Sequence, residues 1–341
     1  MSGSLPKYLS KLGSGETLTV DESMGAFEIV MSGKATPSQI GALLMGMRVR
    51  GETVDEIVGA VTAMRKRALV IEAPPEAIDT AGTGGDGIGT FNISTASALV
   101  ASGCGVPVAK HGNRAISSKS GSADLLAALG VNIEASMELI KESLWSAGFG
   151  FFMAPRHHGA MKHVGPTRLE LGTRTIFNLL GPLSNPSGTR RQLIGVFDRK
   201  WCVPLAKVLA KLGSIHVWVV HGADGMDELT TTGRSFVAAL KDGDVSTFEV
   251  TPDDVGLRRC KVGDLIGGNP EFNSKETRKL LNGAPGPYRD IVVLNAAAAL
   301  VVAGTANNLQ DGVSQAISAI DSGSASRVLT RVIEITNRSL Q

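Results

Sequence analysis

The segment "DTAGTGGDGIGTFNIST", Asp79 to Thr95, constrains this chain more than any other, because it packs five glycines between a short apolar lead-in and a run of hydroxyl side chains. So bare a loop suits tight turns and close backbone approach. Gly82, Gly84 and Gly87 fit G-x-G-x-x-G. A dinucleotide fold, however, also needs an acidic residue about 20 positions on, at the end of the next strand. There the chain carries Lys110-His111-Gly112-Asn113-Arg114, a cation where the acid should be. A P-loop fails too, because Ile88 follows Gly87 where lysine should stand. What fits is an anion loop: glycine-freed N–H groups converge, and "FNISTASALVASG" opens a helix whose N-terminus points the same way. Asn92, Ser94 and Thr95 add donors in that first turn. Asp86 would repel a bare phosphate, so the ligand should also carry a hydroxylated sugar or share a divalent metal. The loop asks for a sugar phosphate.

Two further stretches extend this reading. "KHGNRAISSKSGSAD", Lys110 to Asp124, combines Lys110, Arg114 and Lys119 with the hydroxyls of Ser117, Ser118, Ser120 and Ser122. Alone it would pass for a solvated loop. At the end of the neighbouring strand it becomes the second half of one site, and two such loops suit a ligand with two separate phosphate groups. "VVHGADGMDELT" then sets Asp227 and Glu228 beyond a strand and a glycine turn. Adjacent acids so placed can hold Mg²⁺ through oxygen ligands shared with substrate phosphates.

The surrounding chain sets the fold. Over the first seventy residues Thr19 precedes Glu22, Thr36 precedes Gln39 and Thr53 precedes Glu56, each at capping-box spacing. Pro37 takes a first helical position, while Gly33 and Gly51 fall at helix stops. Gly41, Ala42, Gly46, Gly59 and Ala60 permit close helix contacts. A small all-helical domain is expected, ending at the linker "IEAPPEA". Beyond it, "AID", "VPVA" (106–109), "FGFFM" (149–153), "LIGVF" (193–197) and "HVWVV" (216–220) alternate with helical patterns such as Ser122–Leu129 and Pro204–Leu212. This alternation predicts an α/β domain with a mainly parallel central sheet. Loops at the carboxyl ends of such strands bind ligands. "IVVLNAAAALVVAG", Ile291 to Gly304, is too short to span a membrane and is expected as a buried helix.

A net charge of +2 over 341 residues gives no basic nucleic-acid face. Cys104, Cys202 and Cys260 lie far apart, with neither disulfide nor zinc spacing. With no signal-like apolar stretch at the start, a cytoplasmic protein is expected.

"GTGGDGIGTFNIST", "KHGNRAISSKSGSADLLAALGV", "HHGAMKHVGPTRLELGTRTIFNLLGPLSNP" and "VVHGADGMDELT", in that order, resemble the anthranilate phosphoribosyltransferase family over almost the whole chain. The resemblance implies a helical domain of residues 1–72 with a returning segment at about 169–188, an α/β domain of residues 73–341, and a substrate cleft between them. It also implies a homodimer formed through the helical domains. The ligand becomes 5-phosphoribosyl 1-diphosphate (PRPP). Family contacts to it match Gly82, Gly85, Asp86, Thr90, Asn92, Ile93, Ser94 and Thr95, then Lys110, His111, Gly112, Asn113, Arg114, Ala115, Ile116, Ser117 and Ser118, and Ser122. Ser94, Asp227 and Glu228 match magnesium ligands; Gly82, Asn113 and Arg168 match anthranilate contacts. Arg168 has a physical reason to be there, since guanidinium binds a carboxylate through two parallel hydrogen bonds. Gly159 and Gly165 stand where the family commonly has proline and alanine.

The implied reaction moves ribose 5-phosphate from diphosphate to the arylamine, and no general base is assigned. A phosphorylase of the same fold would carry a Lys-His-Ser-Thr-Gly-Gly type loop instead of Asp79–Gly85. Spacing alone leaves open which loop takes the 5-phosphate and which the diphosphate.

Overall fold

The computed structural model describes residues 4–115 and 119–339. Four helices come first: α1 (Leu5–Gly13), α2 (Val20–Met31), α3 (Pro37–Arg50) and α4 (Val54–Arg65). The three expected capping boxes are formed, at the starts of α2, α3 and α4. Gly59 lets α4 lie on α2, for a Cβ there would stand 2.4 Å from the Val20 carbonyl oxygen. Glu56 does more than cap. Wholly buried, its carboxylate accepts from the N–H of Thr53 (2.9 Å) and of Leu18 (2.9 Å) and pairs with Arg50.

After an irregular linker the chain alternates: β1 (Ile78–Gly82), α5 (Ile93–Gly103), β2 (Val108–Gly112), α6 (Ser122–Ala128), α7 (Met137–Ala147) and β3 (Phe149–Met153). Three short helices follow: α8 (Ala154–His157), α9 (Gly165–Leu171) and α10 (Phe177–Leu183). They return to the first four, α9 packing on α3 and α10 on α4. Then come β4 (Arg191–Gly195), α11 (Cys202–Lys211), β5 (His216–Gly222), β6 (Ser235–Lys241), β7 (Asp244–Val250), α12 (Pro270–Leu281), α13 (Pro287–Ala303), α14 (Leu309–Asp321) and α15 (Ser324–Thr336).

The sheet runs β3-β2-β1-β4-β5-β6-β7. The first five strands are parallel; β6 and β7 join antiparallel. Alternate residues feed opposite faces. Leu193, Trp218, Val220, Val237 and Ala239 enter the core shared with α5 and α13. Ile194, Val217, Val219, Ala238 and Leu240 enter the one shared with α11 and the helical layer.

Two expectations need correction. β2 begins two residues later than "VPVA" suggests, so Lys110, His111 and Gly112 end the strand, paired with Phe151, Phe152 and Met153, instead of opening a loop. The β6–β7 hairpin has no counterpart among the expected strands. Its turn is Asp242-Gly243, both at positive φ (51° and 96°), the geometry that matches strand twist.

Removing one partner of a buried ion pair leaves the other charge uncompensated. Glu56→Ala is expected to cost about 3–5 kcal/mol, against about 1 kcal/mol for Thr53→Ala, which removes only a cap. Urea denaturation of both variants measures the difference; equal losses would refute the anchoring role.

Candidate active site at the strand ends

Strand order reverses between β1 and β4, and the crevice beyond their carboxyl ends is where open α/β sheets bind ligands. Both strands end in glycine there, Gly82 and Gly195. Asp227, in the loop after β5, lies directly over them. A Cβ on Gly195 would be 1.5 Å from the Asp227 carbonyl oxygen, and one on Gly82 2.4 Å from its Oδ2. The glycine loop bends over this contact: Thr83 N–H donates to Gly195 O (3.0 Å) and Gly84 N–H to Asp227 Oδ2 (2.7 Å). Gly84, Gly85, Gly87 and Gly89 all take positive φ, from 66° to 79°. Asp86 turns its carboxylate back to accept from Ile88 N–H (3.1 Å), and Arg174, stacked 4.3 Å from the Phe197 ring centroid, donates to Gly85 O. The loop's far end is tied down by a bridge between Thr90 and Ile266.

Asn92 stands at the N-terminal end of α5 without a side-chain cap bond, and its side chain is a junction. Oδ1 accepts from Ser120 Oγ (3.2 Å) and Asn273 Nδ2 (3.0 Å), while Nδ2 donates to Ser120 O (2.9 Å). Ile93 is buried, and Thr95 Oγ1 has no partner among the described residues. Ser94 opens the helix with its N–H on Glu228 Oε1 (3.0 Å). Lys110, buried under this turn, donates to Thr80 O (2.6 Å) and Ser94 Oγ (3.3 Å). Burial lowers its pKa, opposed by Asp79 and Glu228. Beyond β2, Asn113 O accepts from Ala123 N–H (3.2 Å), and Asp124 gathers Ala115 N–H, Gly121 N–H and Arg114. Ser122 starts α6 beside Gly112, where a Cβ would lie 3.0 Å from its Oγ. Ile116, Ser117 and Ser118 lie outside the described residues.

The acids sit in an unusual field. Burial, with Asp86 adding, pushes Asp227 up to about 6. Burial and then Asp227 raise Glu228 well above the carboxylate range. Neither forms an ion pair among the described residues; Asp227 Oδ2 accepts from Gly84 N–H and Glu228 Oε1 from Ser94 N–H, with the Asp86 carboxyl beside Asp227. That donor set fits Mg²⁺. Among the described residues no cluster of three or more His, Cys, Asp or Glu side chains could hold a metal unaided.

Beside the polar crevice opens a cavity of about 500 Å³ between sheet and helical layer. Gly82, Asn113 and Arg168, three positions far apart in sequence, all line it. The Arg168 side chain makes no hydrogen bond or ion pair among the described residues; its guanidinium stands 5.3 Å from the Phe177 ring centroid. His111 and His158 meet edge to face at 5.1 Å, and burial lowers their pKa to about 3 and about 4, so both are neutral at pH 7. A Cβ on Gly159 or Gly165 would meet nothing within 4 Å. Sequence reasoning missed Met64 and Asn178 in the wall and Arg174 on the glycine loop. No local signal marks them.

The helical bundle domain of a glycosyl transferase family matches residues 6–68, and the a/b domain of such a family matches residues 74–326. Anthranilate phosphoribosyltransferase of Paramagnetospirillum magneticum is 59% identical, covering 98% of this chain and 97% of that one. Its counterpart in Rhodopseudomonas palustris (strain BisA53) is 57% identical, covering 96% and 97%. Among solved structures, the anthranilate phosphoribosyltransferase of Thermus thermophilus superposes with a TM-score of 0.92 at 42% identity, covering 97% and 99%. The Saccharomyces cerevisiae enzyme in complex with PRPP and Mg gives 0.89 at 28%, covering 97% of each chain. Two matched domains and relatives more than half identical along nearly the full length make this chain a member of the anthranilate phosphoribosyltransferase family.

Proposed function

We propose that the protein transfers the 5-phosphoribosyl group of PRPP to the amine of anthranilate, releasing diphosphate, as a step of tryptophan biosynthesis. The observation that carries this reading is one crevice with two unlike halves. An amide-rich loop with half-buried acids adjoins a cavity lined by neutral imidazoles and one uncommitted guanidinium.

The C1–O bond of PRPP breaks and a C1–N bond forms, so positive charge grows on the sugar and negative charge on the leaving diphosphate. Left-handed glycine N–H groups and the α5 N-terminus present partial positive charge to that anion, which stabilises the transition state without reorganisation. Asp227 and Glu228, with Ser94, would hold Mg²⁺. Bound there, the ion would neutralise diphosphate oxygens. Arg168 would grip the anthranilate carboxylate, and Asn113 would help set the amine behind C1. The arylamine is neutral near pH 7, so its lone pair needs no base; after attack the nitrogen sheds its proton to solvent. PRPP contacts are assigned to the glycine loop and the Lys110–Ser118 and Ser122 positions as the family resemblance gives them.

We take residues 1–72 and the returning segment at about 169–188 as one domain and the rest of 73–341 as the other. Phe177 packs edge to face on Phe27 at 5.7 Å, which supports the grouping. We also take the protein as a homodimer through the helical layer. Val49 on α3 and Leu169 on α9 are 82% and 77% exposed, an apolar face on two helices that pack together. Three unpaired cysteines support a reducing cytoplasm.

Anthranilate fluorescence should decay only when protein, PRPP and Mg²⁺ are all present, with stoichiometric diphosphate release. No decay, with uridine or thymidine phosphorolysis in its place, would point to the phosphorylase. Arg168→Ala should raise the KM for anthranilate roughly 10–100-fold, the worth of a charge-assisted bond, while PRPP binding is kept; unchanged anthranilate saturation removes Arg168 from the site. Val49→Glu should shift the sedimentation coefficient from dimer to monomer, and an unshifted dimer excludes this face.

A further inference from the structure

Helix α13 is buried on nearly every side, and from Ile291 to Gly304 it holds a single polar side chain, Asn295, itself fully buried. A buried amide in an apolar helix is costly unless all its hydrogen bonds are made. Asn295 makes three. Oδ1 accepts from Leu229 N–H (3.0 Å), and Nδ2 donates to Leu229 O (2.8 Å) and to Ile291 O (2.9 Å) one turn back. The last bond alone would not require an amide. The first two take both backbone polar groups of one residue, and that residue directly follows Asp227-Glu228.

We infer that Asn295 is a positioning residue for the acidic pair: its amide clamps the backbone of Leu229 and thereby fixes the direction of the Glu228 carboxylate. This rests on the reading of Asp227 and Glu228 as the magnesium-PRPP ligands. The N–H that Asn295 accepts belongs to the peptide unit whose carbonyl carbon is that of Glu228. Holding this plane fixes ψ of Glu228, and with it the reach of its side chain to the Ser94 N–H at 3.0 Å. The other flank is pinned separately. Asp224 accepts from Thr230 Oγ1 and Thr232 Oγ1 (2.6 Å each) and from Met226 N–H (3.2 Å). Clamped on both sides, the acids are aimed before any ligand arrives. Groups that orient metal ligands from behind typically carry about 10–100-fold in metal affinity. Asn295 does not line the cavity proposed for anthranilate, and its side-chain hydrogen bonds go to no residue that does.

The test compares the parent protein with Asn295→Ala and Asn295→Ser, well below their melting temperatures. Titration calorimetry reads PRPP affinity as a function of Mg²⁺, and steady-state kinetics read both Michaelis constants. Asn295→Ala should need roughly tenfold more Mg²⁺ for half-maximal PRPP binding, with the KM for anthranilate unchanged within about twofold. Asn295→Ser, which keeps one short hydroxyl, should fall between. Parent-like Mg²⁺ dependence in a folded variant, whatever its melting temperature, overturns the proposal. So does an equal rise in both Michaelis constants, or loss of folding in both variants, since the amide would then serve the fold alone. A parent protein that binds no PRPP with Mg²⁺ overturns the underlying reading instead, and that is seen before any variant is made.

Discussion

The approach of the Asp227 backbone to the ends of β1 and β4 is the contact on which the rest of the site depends. Any side chain at Gly195 would occupy the volume of the Asp227 carbonyl, 1.5 Å from a Cβ. With both strands ending in glycine, the loop after β5 crosses the crevice instead of standing away from it. Its acids therefore reach the N–H groups of Gly84 and Ser94. Electrostatics then follow from geometry. Asp86, Asp227 and Glu228 are brought together in one half-buried cluster, and desolvation with mutual repulsion raises their proton affinity. A cation shared with a polyanionic substrate would relieve that repulsion, so acids that would deter a bare phosphate become part of the means of holding one.

The two halves of the crevice differ because different elements build them. Backbone amides and acids come from the strand ends of the α/β domain. The cavity's other wall comes from α4 and the returning segment, which contribute Met64, Phe177 and Asn178. Neutral His111 and His158 leave Arg168 and Lys162 as the cavity's cations, and Lys162 is exposed. On the proposed function, a small aromatic acid would find its apolar surface matched and its carboxylate drawn toward Arg168. A phosphate finds far better donors close by, in the glycine loop.

Much of this was legible in the sequence, for local reasons. Capping boxes and five central strands announce themselves through residue spacing and β-rich runs. The three motif loops follow strands, and fold topology alone brings such loops to one edge. The end of β2 is hard to read because Lys110 and His111 carry the composition of a loop. Only their pairing with Phe151 and Phe152 makes them strand. β7 escapes notice because most of its residues face solvent; the Asp242-Gly243 turn is the available signal. Arg174, Met64 and Asn178 reach the site from elements distant in sequence, and no pattern within those elements distinguishes them. Asn295 is intermediate: one amide in an apolar run marks a buried obligation, but only the structure names Leu229 as the group it serves.

The side chain of Asn92 explains why two loops distant in sequence can act as one receptor. It bonds Ser120 in the second loop through both ends of its amide and Asn273 in α12 through its oxygen. The aromatic rings flanking it, Phe91 on Tyr288 at 4.2 Å, tie the same turn to α13. That helix also clamps Leu229. The glycine loop, the described part of the second loop and the acid pair therefore share one backing of side-chain hydrogen bonds and ring contacts. The helical layer is linked differently, through the irregular segment between α4 and β1.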